Sequence, residues 1–85
     1  GFDLLIKGKK VDVKTTKYPN GRLLAKLNQR DDEVEVFLLV TGKFPEFTIV
    51  GYAATDELLN KENIIDLGHG PGYELSQDRL KACPI

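Results

Sequence analysis

The 85-residue chain contains no methionine and no tryptophan, one cysteine, one histidine and no surplus of either charge. Each shortage closes off a class of protein. The lone cysteine, Cys83, cannot build an internal disulfide framework or a paired-thiolate zinc site. The lone histidine, His69, has no His or Cys companion motif with which to share a metal. No apolar run approaches the roughly 20 residues that a membrane helix requires. No basic, then apolar, then small-residue segment marks a secretory leader. The expectation is an intracellular protein, cytoplasmic or nucleoid-associated, with no membrane partner. With 12 basic against 13 acidic residues the formal net charge is −1, so no global positive field draws in nucleic acid. Such a contact would need a local basic patch. Without methionine, and with strand pattern directly after Gly1, the sequence reads as a single domain, 1–85, truncated at its N-terminus. An apolar content of 41% with 29% charged residues is ordinary globular composition. A chain this short has a limited core, so every apolar strand face counts.

What the chain does have is a strong opening pattern, residues 1–17 (GFDLLIKGKKVDVKTTK). Two apolar runs flank Lys7-Gly8-Lys9-Lys10, the signature of a β-hairpin. A two-residue loop at Gly8-Lys9 suits a type II′ turn, with glycine first. That loop sets Lys7 opposite Lys10, Leu5 opposite Asp12 and Asp3 opposite Lys14. Side chains alternate faces along a strand. One face then carries Phe2, Leu4, Ile6, Val11, Val13 and Thr15 and can bury itself. The other gathers Asp3, Asp12 and Lys14. Asp3 would lie diagonal to Asp12, about 7–8 Å away, a gap that a metal ion and its ligands can fill.

Further along, residues 17–21 (KYPNG) are turn chemistry. Residues 22–29 (RLLAKLNQ) carry both helical and alternating spacing, and are read here as extended. Residues 30–33 form a polar break. Residues 35–41 (EVFLLVT) form the most apolar run and read as a central strand covered on both faces. After a turn at 42–46, residues 47–54 (FTIVGYAA) read as the next strand. Gly51 within it marks a bulge or a close backbone approach. Thr55 looks like the cap of a short helix, with Asp56 and Glu57 at its positive end. Short strands are expected within 63–67 and at 73–75, with a Gly/Pro loop at 68–72 between them. Ser76 looks like the cap of a last turn.

An acidic residue on one strand, followed by acidic-x-Lys on the next, resembles the PD-(D/E)xK superfamily of restriction-endonuclease-like nucleases. Here the elements are Asp3 and then Asp12-Val13-Lys14. The order strand (35–41), strand (47–54), helix (from 55) is similar to that core. Residues 48–53 (TIVGYA) are similar to the strand that follows the catalytic hairpin in several small nucleases of this type, and residues 73–75 with Leu80 resemble their C-terminal end. Two departures are visible. Phe2 precedes Asp3 where proline is usual, and no helix precedes the hairpin to supply a further glutamate. The resemblance implies an α/β restriction-endonuclease-like core, with a small mixed β-sheet and short flanking helices. It implies Mg²⁺-dependent hydrolysis of DNA phosphodiesters, with Mn²⁺ as a substitute metal. Asp3, Asp12 and the main-chain carbonyl of Val13 would be ligands, and Lys14 would orient the attacking water. DNA is the implied partner, and two-strand cutting would call for a homodimer or larger assembly.

Blander readings compete with each of these. Asp3, Asp12 and Lys14 would also suit a solvated strand face with a cross-strand ion pair, although aspartate is depleted within strands. Lys10 and Lys17, with Lys7 and Lys9, would suit phosphate contact or plain solubility. His69 reads as a loop residue, and Asn28 and Gln29 as surface polar residues. Tyr18 and Tyr52 have the chemistry to stack on bases, although a tyrosine within a strand is more often core. The alternatives to a nuclease are a non-catalytic nucleic-acid-binding or protein-interaction module that keeps the fold, and a small β-rich interaction domain with incidental carboxylates.

Overall fold

Among the described residues seven strands form two sheets, and three short helical turns fill connections between them. The structure is a computed structural model that describes residues 4–27, 34–68 and 70–82. β1 (Leu4–Ile6) and β2 (Lys9–Thr16) make the hairpin. β3 (Leu23–Lys26) follows, then β4 (Val36–Lys43) and β5 (Glu46–Ala54). A single helical turn, α1 (Thr55–Leu58), and a 3₁₀ turn (Lys61–Asn63) lead to β6 (Ile64–Asp66). β7 (Pro71–Leu75) and a last 3₁₀ turn (Gln77–Arg79) complete the order. The result is a compact, small, mixed α/β molecule made mostly of strands.

The first sheet has the order β1-β2-β4-β5 and is mixed: β2 runs parallel to β4, and the other pairs are antiparallel. The second sheet, β3-β7-β6, is antiparallel throughout. It was not expected as a separate sheet, because nothing local to the short runs at 23–26, 64–66 and 71–75 says which strands they pair with. Their shared use is packing. Leu23, Ala25 and Leu75 from the second sheet bury against Phe37, Leu39 and Ala53 from the first, and Leu58 of α1 and Val34 close the cluster.

Three sequence expectations need correction. The hairpin turn lies at Lys7-Gly8, not at Gly8-Lys9, and both residues have positive φ (51° and 82°). Positive φ at both central positions is the type I′ pattern, whose twist matches that of the flanking strands. The register moves accordingly: Leu4 pairs with Val11, Leu5 with Lys10 and Ile6 with Lys9. Leu5 is therefore not opposite Asp12. The cap of α1 is Ala54, not Thr55. Ala54 has no acceptor side chain, so only the reciprocal half of a capping box forms, with the Ala54 N–H donating to Glu57 Oε1 at 2.9 Å. Thr55 instead donates its hydroxyl to the Val34 carbonyl at 2.6 Å. Ser76 does stand at the cap of the last 3₁₀ turn, but its hydroxyl meets Asp78 Oδ1 at 2.5 Å rather than a backbone N–H.

Parallel partners share a face, and the register sets Val11 beside Val36, Asp12 beside Phe37, Val13 beside Leu38 and Lys14 beside Leu39. Phe37 and Leu39 belong to the core between the sheets. Asp12 and Lys14 thus stand on the inner face of the first sheet, next to that core. The apolar side chains of the hairpin, expected to bury against the later strands, lie on the outer face instead. There Val11 and Leu38 are buried, while Leu4, Phe47 and Ile49 remain exposed.

Candidate active site

β2 positions both halves of the acidic-x-Lys motif. Residues two apart on a strand share a face, and Asp12 and Lys14 use that rule to meet: Lys14 Nζ lies 3.2 Å from Asp12 Oδ2. The aspartate side chain is only 14% exposed and the lysine 33%, so the pair is partly withdrawn from water. The lysine ammonium also lies 5.9 Å from the centroid of the Phe37 ring. A cation over an aromatic face gains about 0.5–1 kcal/mol at such sites. The ring and the carboxylate together fix where the ammonium sits.

The neighbouring residues are fixed by backbone. The Lys10 carbonyl accepts from Glu35 N–H at 2.9 Å, and Lys10 N–H donates to Glu35 Oε1 at 3.2 Å. Glu35 in turn offers its carbonyl to Thr55 N–H at 3.1 Å, tying β2 to the start of α1. Val13 turns its side chain to the opposite face, beside Leu38. Lys17 lies just past the end of β2 with its ammonium 5.4 Å from the Tyr18 ring centroid. Lys10 and Lys17 are both exposed, at positions that flank the pair along the same stretch of chain. Tyr52 pairs with Leu38 on the outer face, away from Asp12 and Lys14.

Asp3, the second expected carboxylate, lies outside the described residues, as do Asn28, Gln29, His69 and Cys83. Among the described residues no three His, Cys, Asp or Glu side chains gather in one place. A groove of about 310 Å³ lies on the outer face, floored by Ile6, Val11, Val36, Leu38 and Tyr52. The thickness of the sheet separates it from Asp12 and Lys14. No family model, no curated protein and no solved structure matches the chain. Among the described residues no helix is long and apolar enough to cross a membrane.

The donor chemistry at Asp12 suits a hard divalent ion, which takes oxygen ligands and keeps several waters. One partly buried carboxylate is present, and a carbonyl from its own strand is the kind of donor that completes such a set. Phe37 is the residue that sequence reasoning missed. Its only signal is membership of the most apolar run, and its place beside Asp12 comes from a parallel register that no local pattern encodes.

Proposed function

We propose that the chain is a metal-dependent nuclease of the PD-(D/E)xK type, with a restriction-endonuclease-like core, that hydrolyses DNA phosphodiesters. The observation that carries this reading is the meeting of Asp12 and Lys14, 3.2 Å apart, on the inner face of a strand that runs parallel to its neighbour. Asp12 and Asp3 would hold Mg²⁺ or Mn²⁺, with the Val13 carbonyl as a further ligand. The bound ion would supply Lewis acidity and lower the pKa of water. The rest falls to the chain itself. Lys14 Nζ donates hydrogen bonds, and from its place beside Asp12 it orients the attacking water and offers positive charge to the phosphoryl oxygens. Phe37 and Asp12 hold that ammonium, so little is lost in fixing it when substrate arrives.

The test is cleavage of plasmid DNA with added Mg²⁺. Asp12→Asn and Lys14→Ala are each expected to lower the rate by about 10²-fold or more, with the circular-dichroism spectrum unchanged. Cleavage at the parental rate in either variant would overturn the assignment. The same 3.2 Å contact favours one alternative, a module that keeps the fold and uses the pair structurally. DNA binding by the intact chain with no metal-dependent cleavage identifies that case.

A further inference from the structure

The loop after β2, residues 17–22, displays Tyr18 to solvent, 59% exposed. The backbone beneath it is nevertheless held from several sides. Tyr18 N–H donates to Thr16 Oγ1 at 3.3 Å, and the Tyr18 carbonyl accepts from Gly21 N–H at 3.0 Å. Gln77, in the turn just after β7, donates through Nε2 to the carbonyls of Pro19 (2.9 Å) and Gly21 (2.7 Å). Arg22 is anchored to Glu74 of β7 at 2.7 Å. Gly21 packs so closely on Thr16 that a Cβ there would lie 2.4 Å from Thr16 Cγ2. An exposed tyrosine on an unsupported loop carries little information. This one is presented by a loop that both sheets fix, and the Lys17 ammonium lies 5.4 Å from its ring centroid.

Building on the nuclease reading, we propose that Tyr18 is a stacking platform for a base, with Lys17 contacting the adjoining phosphate, and that the preferred substrate is unpaired DNA. Tyr18 lies four positions after Lys14 in the chain, a reach of at most about 14 Å. A base inside a duplex already has both faces covered by its neighbours, so a tyrosine can stack only on a base that is unpaired, terminal or extruded. The ring selects strand state rather than sequence, because every base has a π face. The lysine adds the salt-dependent part of the affinity. A chain of net charge −1 must concentrate its nucleic-acid contacts locally, and this loop places a cation and an aromatic side by side.

The experiment measures fluorescence anisotropy of a labelled oligo-dT strand, and of a duplex of equal length, with EDTA present. Tyr18→Ala is expected to weaken oligo-dT binding about 5- to 150-fold, the effect of losing one base–aromatic stack, and to leave duplex binding unchanged. Tyr18→Phe, which keeps the ring, should bind like the parent. Lys17→Ala should reduce the dependence of log K on log salt by about 0.7. Oligo-dT binding that survives Tyr18→Ala, or an equal loss for strand and duplex, overturns the proposal. Unaltered binding in Tyr18→Ala alongside Lys14-dependent cleavage sinks the platform alone. Tyr18-dependent binding without any Mg²⁺-dependent cleavage sinks the nuclease reading alone.

Discussion

Glu57 joins two distant pieces of chain through one carboxylate. Its Oε1 accepts from Ala54 N–H at the start of α1 and meets Lys81 Nζ at 3.2 Å. The backbone hydrogen bond, and then Lys81, hold its pKa below the ordinary glutamate value against a smaller effect of burial. A carboxylate with a depressed folded-state pKa contributes stability above its unfolded-state pKa, and that contribution is lost as pH falls through the folded value. Glu57→Gln should therefore be less stable than the parent at neutral pH, by under about 1 kcal/mol because the side chain is well exposed. The difference should shrink as pH falls below the ordinary glutamate range, measured by urea denaturation at a series of pH values. At this scale the sequence was informative where the rule is local. Asp12 and Lys14 had to share a face because they lie two apart on a strand. Thr55 misled because Ser, Thr, Asp and Asn are the usual caps, whereas here the strand runs on to Ala54 and the threonine hydroxyl has the Val34 carbonyl within reach.

Among the elements, β5 shows how one small residue lets two segments meet. Its ladder to β4 steps from Leu39–Gly51 to Val40–Ile49, so Val50 is the extra residue of a bulge. Next to the bulge, Tyr52 and Lys81 exchange two backbone hydrogen bonds of 2.9 Å each. A Cβ on Gly51 would stand 2.7 Å from the Lys81 carbonyl and 3.0 Å from Leu80 Cβ. Gly51→Ala should push that segment away and cost about 1–3 kcal/mol, read as a lower urea midpoint with faster exchange of the Tyr52 and Lys81 amides. The glycine, both bulge and close approach, was legible because a glycine inside an apolar strand has few other uses. The hairpin was legible as an element but not in register. Lys7-Gly8 and Gly8-Lys9 are both acceptable two-residue turns, and the choice between them depends on strand twist.

For the molecule as a whole, Phe37 carries the most. It is fully buried, lies in the shared core of the two sheets and stands beside Asp12 across the β2–β4 pairing. At roughly 0.05–0.15 kcal/mol per residue, a chain of this length has about 4–13 kcal/mol of total stability. Phe37→Ala removes about 3–5 kcal/mol of that. The variant should show a sharply lower urea midpoint at 25 °C, and Phe37→Leu a much smaller drop. The strands and the central place of β4 were legible from the run EVFLLVT and from β-type alternation. The division into two sheets was not, because it rests on pairings between residues far apart in sequence, such as Leu23 with Leu75. The inner placement of Asp12 and Lys14 follows from those same distant pairings.

Those pairings also set an order of events during folding. The hairpin β1–β2 closes over a two-residue turn, and such units form within about 1–10 μs. The parallel seam between β2 and β4 must join Val11 to Val36 and Thr16 to Thr41, far apart in sequence, while β3 belongs to the other sheet. Long-range parallel pairing is intrinsically slow. Asp12 and Lys14 are therefore local in sequence but not in setting: the motif is written on one strand, and its surroundings arrive only when the seam with β4 closes.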